Sequence, residues 1–227
     1  MSEVIHENAA KWFRNQSKIR IGREYINETF VARTTALVVV DMQNYFMKTG
    51  FLAACPSAIK IVPEINNLAN SLRAKDGKVV WIQTTAAPDA TEGWSVYKKF
   101  YSKENWERRN IELSESHEGY QIWPELILEE EDIYVKKTRF SAFIEGSSDI
   151  NKQLRLHDID SVLIAGVATN VCCEATARDA MMLNYNTTMV SDALAAMTLE
   201  AHENSLRAIY GLFTDVQTVK EIVEKLV

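Results

Sequence analysis

Ala36-Leu37-Val38-Val39-Val40-Asp41 is a block of small and β-branched apolar residues that ends abruptly on a carboxylate. Its apolar positions run without a break, where a strand wetted on one face would alternate. The block therefore predicts a strand covered on both sides, as in a parallel sheet. Comparable runs follow at 79–84, 132–136, 162–166, 187–190 and 215–217. Helical patterns separate them. Val62, Ile65, Leu68 and Leu72 recur at helix spacing, with Gly77 as a stop. Ser147 or Ser148 is placed to cap a helix carrying Ile150 and Leu154. Further helices are predicted over about 171–184 and 199–213. Strand and helix in this alternation give an α/β fold of three layers, α/β/α, with a six-stranded parallel sheet and right-handed crossovers.

The chain of 227 residues suits one such domain. Residues 1–34 read as an N-terminal arm with some helix, and 35–227 as the domain. Residues 86–131 form an insertion between the second and third strands, rich in Trp94, Tyr97, Phe100, Tyr101, Trp106, Tyr120 and Trp123. It predicts either a surface excursion or subunit contact that buries its own aromatics, or a lid over a site.

Composition narrows the function. A net charge of -6 argues against a nucleic-acid partner, which asks for a concentrated basic face. No apolar run approaches the ~20 residues needed to cross a bilayer, so no membrane partner is expected. Glu3, His6 and Glu7 stand where a signal peptide would be apolar. The three cysteines, Cys55, Cys172 and Cys173, make a poor disulfide framework and fit a reducing cytoplasmic setting. With four histidines and no CxxC pair, no metal site and no cofactor are expected.

Ligands of open α/β sheets bind at the carboxyl ends of the strands. Three reactive residues are predicted there: Asp41 closing the first strand, Lys137 after the third, and Cys172 after the fourth, at a helix start. A helix N-terminus and a nearby lysine both favour thiolate, and a carboxylate can take the thiol proton. Backbone amides of the same turn suit an oxyanion. Each residue also has a plainer reading. Cys172 and Cys173 fit as two small buried residues, Asp41 as a turn cap, and Lys137 as a solvated charge.

Taken together, three blocks are recognisable: Val38-Val39-Val40-Asp41-Met42-Gln43-Asn44, Lys137-Thr138-Arg139-Phe140-Ser141-Ala142-Phe143, and Gly166-Val167-Ala168-Thr169-Asn170-Val171-Cys172 with Ala175-Thr176-Ala177-Arg178-Asp179-Ala180. With Val190-Ser191-Asp192-Ala193 they resemble the isochorismatase-like cysteine hydrolase superfamily over roughly residues 34–218. The resemblance implies an Asp41–Lys137–Cys172 triad, a cis peptide at Val167–Ala168, an oxyanion hole from the Ala168 and Cys172 amides, and a homo-oligomer, dimer or tetramer. Members that cleave a vinyl ether generally lack the cysteine, so its presence implies amide or ureide cleavage. Nicotinamidases of the superfamily hold a metal through an aspartate and histidines after the second strand. Here that segment carries Asp89 but no histidine before His117. What remains resembles the ureidoacrylate, N-carbamoylsarcosine and biuret amidohydrolase branch.

The expected activity is hydrolysis of a small amide's or ureide's C–N bond, other than a peptide bond, through a thioester. Ester or vinyl-ether hydrolysis, or a non-catalytic binding protein on the same fold, are the alternatives. Gln43, Phe46, Thr84, Phe140 and Arg139 are candidate substrate contacts by position. Arg178, in mid-helix, is expected to form a structural ion pair. His117 and His202 receive no role.

Overall fold

The structure is a computed structural model and describes residues 2–86 and 93–227. Six strands form one sheet: β1 (Thr35–Val40), β2 (Lys78–Thr84), β3 (Ile133–Lys137), β4 (Ser161–Val167), β5 (Asn186–Ala195) and β6 (Asp215–Gln217). Every pairing is parallel, and the order is β3-β2-β1-β4-β5-β6. This is the six-stranded parallel sheet expected from the apolar runs. The order reverses direction between β1 and β4, and a crevice at the carboxyl ends is the usual consequence.

The longer helices are α1 (Ser2–Ile21), α2 (Val62–Arg73), α3 (Lys103–Glu112), α4 (Ile150–Leu156), α5 (Glu174–Met182), α6 (Leu199–Ile209) and α7 (Val219–Glu224). Side chains of β1 alternate between two apolar clusters, which is why the strand is buried at every position. Leu37 and Val39 join the first cluster, closed by Ile65, Leu68 and Leu72 of α2 and by Ile222 of α7. Ala36, Val38 and Val40 join the second, closed by Ile150 and Leu154 of α4, Ala177 and Ala180 of α5, and Leu206 and Ile209 of α6. Each large aliphatic side chain withdrawn this fully contributes roughly 1.5–3 kcal/mol.

Several boundaries differ from the sequence reading, each for a local reason. The chain leaves α2 through Asp76, whose φ is 62°, and Gly77 is not the left-handed residue. Gly77 serves close packing instead, since a Cβ there would lie 2.7 Å from a Leu72 methyl and 3.1 Å from the Ala32 carbonyl oxygen. Ser148 supplies the cap near α4, its Oγ accepting from the Ile150 amide at 3.2 Å, while Ser147 Oγ donates to the Ser141 carbonyl at 2.6 Å. β5 runs five residues past its apolar core, because a register shift opposite Ile164 and Gly166 lets 191–195 continue alongside β4. The predicted helix at 171–184 begins as a π-helical turn, Thr169–Cys173, before α5. The helix predicted to 213 stops at Ile209.

The arm lies against β6. Phe13 packs 4.8 Å from the Tyr210 ring and accepts that residue's hydroxyl at its carbonyl, at 2.6 Å. Asp215 Oδ2 accepts from the Ile26 and Asn27 amides at 2.9 and 3.0 Å. Of the insertion, 87–92 and with it Asp89 lie outside the described residues. The rest returns over the strand ends, where the Trp123 amide donates to the Met42 carbonyl at 2.8 Å.

Candidate active site

β1 delivers Asp41 to the carboxyl edge with a left-handed backbone, φ 55°, a conformation few non-glycine residues adopt. Its amide is held by the Ile82 carbonyl at 3.0 Å, which locks the turn onto the neighbouring strand. Lys137 is the last residue of β3 rather than the residue after it, and no part of it is exposed. A wholly buried ammonium is stable only when paired and hydrogen-bonded. Its Nζ lies 2.8 Å from Asp41 Oδ2 and donates to Thr84 Oγ1 at 2.6 Å and to the Arg139 carbonyl at 3.1 Å. The Cys172 sulfur is 3.6 Å away. Thr84, at the end of β2, donates in turn to Asp41 Oδ1 at 2.8 Å. Asp41 Oδ2 accepts no aligned hydrogen bond, so it contacts the ammonium yet keeps a lone pair open.

The nucleophile turn is built on a close approach of β4 to β1. Gly166 has φ 107°, and a Cβ there would fall 2.1 Å from the Val40 carbonyl oxygen, so only glycine fits. The Val167–Ala168 peptide is cis. The π-helical turn follows, with the Ala168 carbonyl accepting from the Val171 and Cys173 amides at 3.0 and 3.2 Å. His202 pins this turn from α6, its Nδ1 lying 2.9 Å from Thr169 Oγ1. Ser205 Oγ adds a bond to the Thr169 carbonyl at 3.3 Å. Cys172 then faces a cavity, whereas Cys173 is wholly buried with its sulfur 3.9 Å from the Ala165 carbonyl.

The electrostatics reverse one expectation. Burial pushes the Cys172 thiol up to about 12; Lys137 pulls it down and Asp41 pushes it further up. The helix start and the lysine therefore do not prevail, because Lys137 already has an anion beside it. Burial lowers Lys137, but the Asp41 and Cys172 charges outweigh it and hold the ammonium above its ordinary value. The resting site is thus an ion pair beside a neutral thiol.

The cavity, about 40 Å³, is lined among others by Phe46, Thr84, Arg139, Phe140 and Cys172. Gln43 is not among its lining residues. That side chain spends its groups on backbone, accepting from the Thr84 amide at 2.7 Å and donating to the Thr84 and Tyr120 carbonyls at 3.1 and 2.9 Å. From the insertion, Trp94, Tyr97 and Tyr101 also line the cavity. Trp94 and Tyr97 meet Phe140 edge-on, with ring centres 5.0 and 5.1 Å away. Arg139 donates to the Gly93 carbonyl at 3.0 Å and stacks on Trp94 at 5.0 Å. Sequence reasoning missed Ala53, Arg109 and Leu113 of the lining, and the contribution of His202. Aromatic density was the signal that pointed to the insertion's share of the lining. His117 accepts from the Gly119 amide at 3.0 Å, and Arg178 pairs with Glu174 at 2.7 Å, as a structural ion pair should. Among the described residues no three His, Cys, Asp or Glu side chains gather as metal ligands, and no helix is long and apolar enough to cross a membrane.

The isochorismatase domain profile matches residues 35–221. A probable inactive nicotinamidase of Arabidopsis thaliana is 30% identical over 197 residues, covering 86% of this chain and 97% of that protein. The ureidoacrylate amidohydrolase of Klebsiella variicola is 28% identical, over 84% of this chain and 87% of that one. Among solved structures, a cysteine hydrolase from Pseudomonas syringae pv. phaseolicola superposes with a TM-score of 0.80 at 25% identity, covering 90% of this chain and 98% of its own.

Proposed function

This chain belongs to the isochorismatase family, and on that premise we propose that it is a cysteine-dependent hydrolase of a small amide or ureide. The observation that carries the reading is Lys137 Nζ touching both Asp41 Oδ2, at 2.8 Å, and Cys172 Sγ, at 3.6 Å, beside one cavity. A buried lysine, carboxylate and thiol in mutual reach have no structural need of one another: an apolar trio would fill the same space at lower desolvation cost. The similarity to an amidohydrolase supports the C–N bond as the target.

In this scheme Asp41 takes the thiol proton at its open Oδ2 lone pair as Cys172 Sγ attacks the substrate carbonyl. The thiol is neutral beforehand, so proton transfer accompanies attack. The backbone amides of Ala168 and Cys172 hold the oxyanion. As it collapses, the C–N bond breaks and Asp41 returns the proton to the departing amine or ammonia. Water then attacks the thioester, giving a proton to Asp41, which passes it to the leaving thiolate. Lys137 orients the carboxyl group through each proton transfer, and Thr84 bonds to both. Trp94, Tyr97 and Tyr101 act as the cover that excludes bulk water. The scheme draws on the chain's own residues alone. Free thiols at all three cysteines suit a reducing, cytoplasmic compartment, and a homo-oligomer completes the reading.

Ammonia release from a panel of short amides and ureides tests it, with Cys172→Ser as the control. Nitrogen release that depends on Cys172 is expected. Turnover of esters or vinyl ethers with no nitrogen product overturns the amide assignment, and no turnover of any of these points to a binding protein.

A further inference from the structure

Arg109 is buried, 6% exposed, and lines the same cavity as Cys172. An arginine withdrawn from water ordinarily has a carboxylate beside it. Among the described residues, Arg109 has none. Its side-chain hydrogen bond goes to the neighbouring Asn110 Oδ1, at 3.3 Å, and the Tyr97 and Trp106 rings lie 5.3 Å from its Cζ. Two buried acids, Glu112 on the same helix and Asp41 of the candidate triad, are committed elsewhere. Glu112 is held by Arg108 at 2.7 Å, and Asp41 by Lys137 at 2.8 Å.

A second donor lines the same space. The Tyr45 hydroxyl is buried and has no partner. Burial, with Tyr101 adding to it, holds that phenol far above its ordinary range, so its O–H remains a donor. Arg139 also lines the cavity, but its guanidinium donates to the Thr138 and Gly93 carbonyls, each at 3.0 Å, and stacks on Trp94. One buried cation without a carboxylate among the described residues and one buried hydroxyl without an acceptor thus line a cavity that ends on the nucleophile.

We infer that Arg109, with Tyr45, binds a carboxylate carried by the substrate whose carbonyl Cys172 attacks. The inference rests on the proposed hydrolase reading and names its substrate class: a short amido or ureido acid. The planar guanidinium fork matches a carboxylate, and stacking against Tyr97 and Trp106 fixes its plane. A cavity of about 40 Å³ leaves few atoms between that carboxylate and the scissile carbonyl.

The test separates binding from chemistry. Full-length Cys172→Ser protein is titrated calorimetrically with N-carbamoylglycine and with its neutral primary amide, which differ only in the carboxylate. The acid is expected to bind roughly 10- to 100-fold more tightly than the amide. Adding Arg109→Gln should erase the preference, Arg109→Lys should keep part of it, and Tyr45→Phe should weaken it less. Equal binding of acid and amide, binding of neither, or a preference that survives Arg109→Gln overturns the inference. If Arg109→Gln does not fold, the Arg109→Lys and Tyr45→Phe pair carries the test, and an undiminished preference in both is the refuting result. Loss of this preference leaves Cys172-dependent ammonia release from neutral amides standing. Conversely, acid-selective binding without any C–N cleavage by the unmutated chain would sink the hydrolase reading alone.

Discussion

Replacing Asp41 by Asn removes the anion that Lys137 now holds, and the buried ammonium then has one candidate partner left, the Cys172 sulfur. In the intact site the carboxylate and the thiol compete for a single cation. The carboxylate wins, which is one reason the thiol stays neutral. Both groups touch Lys137 Nζ, at 2.8 and 3.6 Å, so they lie no farther apart than those two distances end to end. At an effective dielectric constant of ~20, two unit charges at that limit repel by about 2.6 kcal/mol, and more if they are closer. Asp41→Asn should therefore raise the thiolate population at pH 8 by roughly a hundredfold. Alkylation of Cys172 by iodoacetamide, followed by mass spectrometry of the Cys172 peptide across pH 7–10, reads that population directly. Turnover should move the other way, falling roughly 10²- to 10⁴-fold, because Asn can neither accept the thiol proton nor protonate the leaving nitrogen. Faster alkylation with slower hydrolysis is the signature. If alkylation and hydrolysis fall together in a variant with an unchanged circular dichroism spectrum, the carboxylate does not compete with the thiol for Lys137.

Thr84→Val keeps the shape of the side chain but removes both its bond to Asp41 and its acceptor for Lys137. It should cost about 1–3 kcal/mol in urea denaturation and lower kcat roughly 10- to 100-fold with KM less affected; an unchanged kcat would separate Thr84 from the chemistry. Gly166→Ala forces a Cβ to 2.1 Å from the Val40 carbonyl at φ 107° and should destabilise by more than about 4 kcal/mol. Gly146→Ala is the matched control, left-handed but with open space around its Cβ, and should cost only about 1–2 kcal/mol; equal losses would show that backbone conformation, not contact, decides Gly166. The raised Cys172 thiol also predicts an alkaline loss of stability. The folded chain keeps a proton that the unfolded chain releases above about 9, so this contribution is present below that pH and lost as pH rises toward about 12. Unfolding free energies from urea titrations between pH 9 and 11 should fall less steeply in Cys172→Ala, by up to about 1.4 kcal/mol per pH unit, and identical slopes would contradict it.

The sheet was legible in the sequence because its cause is local. A strand buried on both faces must be apolar at every position, and Ala36 to Val40 meets that condition within five residues. Once the strands are parallel, their carboxyl ends lie on one edge, so Asp41, Lys137 and Cys172 were placeable near one another without coordinates. Their resemblance to a known set of blocks said which of two lysines and which of two cysteines to choose, and the cavity does adjoin Cys172 and Lys137.

Other features depend on what covers those residues, which no local pattern encodes. Gln43 sits two residues from Asp41 and reads as a pocket group, yet tertiary packing spends it on the backbone of β2 and the Tyr120 segment. Arg109 reads as one more charge on a helix rich in charges, and what sets it apart is burial without a carboxylate partner among the described residues. The state of the thiol was misread for the same reason. A lysine and a helix start argue for thiolate, but desolvation and the prior claim of Asp41 on that lysine decide for the neutral form. Hydrophobic periodicity along the chain therefore determined the layers and the edge where chemistry sits. The charge state of that chemistry, and the shape of what it accepts, came from groups far apart in sequence, because burial and pairing energies exist only once those groups share a low-dielectric space.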